Sequence, residues 1–143
     1  MENRAMHIRN ILVGYDEPAP AKRALALAED LAIQYGARIV LVTVVEPLNA
    51  APVEVMVPTE TEVLNARRAV EQEADRMRAE GRRVEAFVEV GVPARTLLEI
   101  AQRLEVDVTV LGRSGKGAVA RLVMGSVTTA LLHATTKPII VVP

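Results

Sequence analysis

Five short runs rich in Val, Ile and Leu, separated by four segments of helical character, constrain this chain more than any other feature. The runs are Ile8–Gly14, Arg38–Glu46, Arg83–Val90, Val106–Leu111 and Pro138–Val142. The second reads RIVLVTVVE. Such a nearly continuous apolar run is the pattern of a strand covered on both faces, as in a parallel sheet under helices. Between the first two runs, apolar residues fall at 21, 24, 25, 28, 31, 32 and 35, a helical stripe closed by Gly36. Thr59 to Glu80 is charged, with Val63, Val70, Ala74 and Met77 near one face. Thr59 and Glu62 have the spacing of a capping box, and Gly81 ends that helix. Pro93–Leu104 turns Leu97, Leu98, Ala101 and Leu104 inward, and Val127–Thr135 carries Val127, Ala130, Leu131 and Ala134 on one face. Residues 15–20 and 47–58, punctuated by prolines, read as loops. Strand and helix in alternation predict an α/β fold: one doubly wound, Rossmann-like, five-stranded parallel sheet with helices on both faces. At 143 residues the chain is expected to be a single domain over 1–143.

Composition narrows the partners. Aromatic residues make up 2% of the chain, namely Tyr15, Tyr35 and Phe87, so the core is aliphatic. A protein that binds single-stranded nucleic acid by stacking needs more rings. The formal net charge is −1, which supplies no basic field for a nucleic-acid backbone. There is no cysteine, hence no disulfide, thiolate metal site or cysteine nucleophile. No apolar run reaches the length of a membrane span, and no signal-peptide pattern follows the N-terminus. The expectation is a cytoplasmic protein with no nucleic-acid partner and no membrane insertion.

In an open doubly wound sheet, ligands bind beyond the carboxyl ends of the strands, where strand order reverses. For an order 3-2-1-4-5 that point lies between the first and fourth strands. Their carboxyl ends are Gly14-Tyr15-Asp16 and Leu111-Gly112-Arg113. The loop after the fourth strand carries Gly112, Gly115 and Gly117, with Arg113 and Lys116, and leads to a helix start at Gly125-Ser126-Val127-Thr128. Glycines let backbone N–H groups approach an anion, and a helix N-terminus adds orphan donors and the positive end of its dipole. Ser126 is placed to cap that helix and to offer its hydroxyl to a phosphate. The chemistry suits a polyphosphate, although glycines that merely turn the chain and a serine that merely caps would look alike. A P-loop is excluded because Gly115-Lys116 is followed by Gly117, and a dinucleotide fingerprint is missing after the first strand.

The loop fits G-x2-G-x9-G-[ST], as Gly112, Gly115 and Gly125-Ser126. With Asp16, the segment Val42-Thr43-Val44 and the closing Lys137-Pro138-Ile139-Ile140-Val141-Val142, the chain resembles the universal stress protein family from about Ile8 to Pro143, in its ATP-binding branch. The resemblance implies the order 3-2-1-4-5 and a site for ATP or another adenine nucleotide. It implies that Asp16 meets the ribose or lies near a metal, and that the backbone of Val44 recognises adenine. It implies that Gly112, Gly115, Gly125 and Ser126 hold ribose and phosphates, helped by Val127 and Thr128. A divalent cation, Mg2+ or Mn2+, would bridge the phosphates near Asp16 and Ser126. Family members dimerise, often through the last strand, here Ile139–Val142. Two positions depart from the family: Glu17-Pro18 stands where many members have Gly-Ser, and Thr43 where a His is common.

Other candidates carry less. His7 and His133 are far apart in any such fold and read as surface residues. Glu71, Glu73 and Asp75 read as a solvated helix face. Asp107 reads as a hydrogen-bonded residue at the start of its strand, and Ser114 has no histidine to activate it. With no nucleophile–base pair and no catalytic residue assigned, the function expected is a nucleotide-dependent regulator of the stress response, signalling through its dimer or an unknown protein partner. Two alternatives stay open: a slow ATPase or phosphotransferase using Asp16 or Glu17, and a dimeric interaction module that binds no nucleotide. Tyr15 is the sole ring near the site, so adenine recognition falls chiefly to backbone and aliphatic walls.

Overall fold

The computed structural model describes residues 7–15, 18–49, 55–113 and 125–143. The strands are β1 (Asn10–Gly14), β2 (Arg38–Val45), β3 (Leu48–Asn49), β4 (Val55–Met56), β5 (Val84–Val90), β6 (Val108–Gly112) and β7 (Ile139–Val142). The helices are α1 (Pro18–Tyr35), α2 (Glu60–Ala79), α3 (Pro93–Arg103) and α4 (Ser126–Ala134). The five principal strands form one sheet in the order β5-β2-β1-β6-β7, parallel throughout. That is the order 3-2-1-4-5 for strands counted along the chain without the short β3–β4 pair. Strand order reverses between β1 and β6, as expected.

Alternation along the strands sorts the core into two layers. Ile11 and Val13 of β1, with Ile39 and Leu41 of β2, face α1 and α2, where they meet Ala21, Ala24, Leu25, Ala28, Val70, Ala74 and Met77. Leu12, Val40, Val42 and Leu111 face α3 and α4, where they meet Leu97, Ile100 and Leu131. Alanines at 21, 24, 28 and 32 line the buried side of α1, which therefore lies close to the sheet.

The expected helix signals are present at α2. Glu62 N–H donates to Thr59 Oγ1 at 3.2 Å, and Thr59 N–H donates to Glu62 Oε2 at 2.8 Å, a complete capping box. Gly36 and Gly81 take positive φ of 64° and 88° just past α1 and α2. Asp107 stands just ahead of β6, and its Oδ2 accepts from Arg9 N–H at 2.8 Å and Asn10 N–H at 3.0 Å. The acidic run on α2 engages Arg76 and Arg78, and Arg76 also reaches across to Glu29 of α1.

Four expectations are corrected. Helix α1 starts at Pro18 rather than Ala21, because prolines in a first turn give up only N–H groups that lack an intrahelical acceptor. The segment 47–58 is not wholly irregular: Leu48 pairs with Met56 and Asn49 with Val55 in an antiparallel ladder too short to show a period in sequence. Strand β1 begins at Asn10, with Ile8 buried ahead of it. Helix α4 begins at Ser126, so Ser126 is its first residue and not its cap. Gly125 is the cap, with φ −59° and ψ 154°, and its carbonyl accepts from Thr129 N–H and Thr129 Oγ1 at 3.0 and 3.1 Å.

Candidate functional site

A cavity of about 160 Å3 opens at the carboxyl ends of β2, β1 and β6, on the side of the sheet that faces α3 and α4. Gly14, Tyr15, Val44, Leu111, Gly112, Val127 and Thr128 all line it, so the two strand ends and the start of α4 converge there. Arg113 follows directly and is half-buried, while Gly125 and Ser126 precede Val127, with the Ser126 side chain exposed. Asp16, Gly115, Ser114 and Lys116 lie outside the described residues.

Each wall has a local cause. Gly14 forms part of the floor: a Cβ there would sit 2.9 Å from Leu111 Cδ2 and 3.7 Å from Leu97 Cδ1. Val42 and Val44 project into it from β2, two residues apart on one face. Gly112 has a different reason to be glycine. A Cβ there would lie 2.5 Å from the carbonyl carbon of Pro20 and 2.6 Å from its oxygen. The first glycine of the loop motif is thus required by the close seat of α1 on β6, whatever else it does.

Among the described lining residues, Glu46 stands at the β2 side of the cavity and Thr128 at the β6 side. At the β6 side, no side chain among the described residues caps α4, and its N-cap Gly125 has none to offer its first N–H groups. Val127 and Thr128 present this first turn to the cavity, and Thr128 is buried. The backbone of Arg113 is already committed, its N–H donating to Val142 O at 2.7 Å. Tyr15 N–H is likewise held by Val42 O at 2.8 Å. An anion at this end therefore meets the α4 terminus rather than those two amides.

Tyr15 is corrected in one respect. It lines the cavity, but its side chain belongs to the core under α1 and α2. Burial, reinforced by Glu73 and opposed by Arg76, pushes its phenol above the ordinary value. Its carbonyl is held by Thr43 Oγ1 at 2.7 Å. The ring thus faces away from the cavity and offers no stacking surface. His7 and His133 are both exposed, the latter on α4, well apart from the cavity lining.

Sequence reasoning passed over Val42, Glu46, Pro93 and Leu97, all of which line the cavity. Period-two counting from Val40 through Val42 and Val44 leads to Glu46, the one charged residue on that face of RIVLVTVVE past its start. Pro93 and Leu97 open α3, where the sequence pattern marks only a helix start and a core position.

A model of the universal stress protein family matches residues 7–143. The chain is 34% identical over 140 residues to a universal stress protein from Thermus aquaticus, covering 94% of this chain and 98% of that one. Among solved structures, universal stress protein UspA from Lactobacillus plantarum superposes with a TM-score of 0.72 at 25% identity, covering 98% of this chain and 100% of that one. A universal stress protein solved in complex with cAMP gives a TM-score of 0.72 at 21% identity, over 95% of this chain and 97% of its own. One from Archaeoglobus fulgidus in complex with dAMP gives 0.71 at 18%, over 97% of this chain and all (100%) of its own. At those last two identities the likeness is one of fold.

Proposed function

The chain belongs to the universal stress protein family, and on that premise we propose that it is a cytoplasmic, ATP-binding regulator of the stress response, holding an adenine nucleotide at the β1/β6 crossover. The observation that carries this reading is the cavity itself. An apolar slot between Val42, Val44, Leu111 and Val127 opens at the reversal of strand order and ends on an uncapped helix N-terminus. The slot suits a base, and the helix start suits phosphate. Relatives of the same fold solved with cAMP and dAMP support an adenine nucleotide as the ligand class. In this reading Val44 presents its backbone to the base. Gly14, Leu111 and Gly112 form the floor, with Tyr15 and Arg113 flanking it. Gly125, Ser126, Val127 and Thr128 meet the phosphates together with Gly115, and Asp16 serves the ribose or the cation.

A divalent cation, Mg2+ or Mn2+, enters with the phosphates. Among the described residues no group of three or more His, Asp or Glu side chains is placed to hold a metal. The ion would therefore be carried by phosphate oxygens, with Asp16 and Ser126 as the neighbouring side chains of this chain.

Signalling is proposed to run through a homodimer and a protein partner. Among the described residues, strand β7 is an outer strand of the sheet, bonded only to β6, and Ile139–Val142 are half-buried on it. An apolar outer strand of this kind is completed by pairing with a second copy. A monomeric mass in solution at micromolar concentration would count against that pairing.

Thermal melting with and without ATP and Mg2+ tests the central claim. A ligand at one hundred times its Kd stabilises the folded state by about 2.7 kcal/mol, a shift of several degrees. The shift should vanish in Gly125→Val. Protein that carries no adenine nucleotide on purification and shows no ATP-dependent shift would overturn the reading.

A further inference from the structure

We infer that Glu46 selects the base and fixes the direction in which the ligand lies: its carboxylate requires a hydrogen-bond-donating edge, such as the 6-amino group of adenine, at the β2 end of the cavity. This rests on the nucleotide reading above and extends it to a side chain that reading did not use.

The argument starts from the distribution of charge. Among the described residues that line the cavity, Glu46 is the sole charged side chain. It is exposed, and no ion pair joins it to any other described residue. Counting by twos along β2 places it on the face of Val40, Val42 and Val44, directly beyond the strand's last residue, Val45. The opposite end of the cavity is the first turn of α4, at the β6 side. Strands β2, β1 and β6 are consecutive neighbours in the sheet, so the two polar ends are about two interstrand spacings, roughly 10 Å, apart.

A carboxylate at one end and orphan N–H donors at the other make the cavity bipolar, with an aliphatic middle. An ionised carboxylate only accepts hydrogen bonds. It repels phosphate and leaves the helix start as the anionic end. It also disfavours any base whose facing atom carries a lone pair, because two acceptors then confront each other with nothing between them. A purine with an amino group at that edge satisfies it.

The test compares ATP with purine riboside triphosphate, which has hydrogen in place of the 6-amino group, by titration against wild type, Glu46→Ala and Glu46→Gln. Glu46 is exposed, so the variants should melt with wild type. A hydrogen bond to a charged group at a solvent-screened rim corresponds to a preference for ATP of roughly tenfold in wild type. The preference should collapse to about one in Glu46→Ala. Glu46→Gln, which keeps an accepting oxygen without the charge, should retain part of it. An ATP preference that is unchanged in Glu46→Ala overturns the inference and leaves the nucleotide reading standing. GTP bound more tightly than ATP, with that excess lost in Glu46→Ala, overturns the choice of adenine, since the N1–H and 2-amino edge of guanine also satisfies a carboxylate. Wild type that binds no nucleotide overturns the proposed function and this inference with it.

Discussion

Two glycines at the site, Gly14 and Gly112, make opposite predictions for the same added methyl. At Gly112 a Cβ would lie 2.5 Å from the carbonyl carbon of Pro20, 2.6 Å from its oxygen and 2.8 Å from its Cβ. Ordinary carbon contacts are about 3.5–4.0 Å, so the first turn of α1 would have to retreat by about 1 Å. It has no room to do so independently, because Ala21, Ala24 and Ala28 behind it are fully buried against the sheet. Overpacking of this kind costs about 1–3 kcal/mol, and a clash with backbone belongs at the upper end. The entropy that alanine removes from the unfolded chain returns about 0.4–1 kcal/mol. Gly112→Ala should therefore lose about 1–2 kcal/mol net, or roughly 3–7 °C in Tm for a chain of this size. At Gly14 the nearest atom is the tip of the Leu111 side chain at 2.9 Å, which a rotation relieves. Gly14→Ala should melt within about 0.5 kcal/mol of wild type. Its methyl nevertheless projects into the cavity floor, so it should weaken ATP binding. Calorimetric melting and nucleotide titration of both variants decide the matter. Equal melting temperatures for the two would refute the claim that Gly112 serves the α1 contact.

Further outcomes follow from other positions. Thr59→Ala removes one half of the α2 capping box and should cost about 1 kcal/mol in urea unfolding. Glu105 holds a positive φ of 53° just past α3, so Glu105→Gly should relieve strain and raise stability by about 0.5–1 kcal/mol. Because the Tyr15 phenol is raised in the folded state, folding favours its protonated form. That contribution is complete below the unfolded phenol value of about 10 and is lost as pH climbs above it. Stability of wild type should fall more steeply above pH 10 than that of Tyr15→Phe; parallel curves would remove the claim.

Sequence resolved whatever repeats. The Val-rich runs, the stripe on α1 and the inward face of α3 all carry periods of two or 3.6, and the parallel α/β sheet that depends on them stands as expected; its strand order was implied by the family resemblance instead. Local chemistry with a fixed spacing was equally legible, as at Thr59 and Glu62, Gly36 and Gly81. What escaped was structure decided by contacts remote in sequence. Ser126 looked like a cap because serine caps helices, yet Gly125 takes that place through its own backbone. Two prolines looked like a loop, although a helix start tolerates both. Gly112 looked like a phosphate glycine, and nothing in its neighbourhood announced Pro20. Glu46 ended an apolar run and passed for the edge of a strand. Tyr15 was near the site by number but on the wrong face by parity, which counting from Ile11 and Val13 reveals.

The last hydrogen bond of the sheet, from Arg113 N–H to Val142 O, has a mechanical meaning. Arg113 is where the chain leaves β6 for the glycine loop, and Val142 is the end of the outermost strand. The floor of the cavity and the rim on which another copy would dock thus share one rivet. A displacement of Gly112 and Arg113 would therefore bear directly on the outer strand, through the peptide unit that joins them.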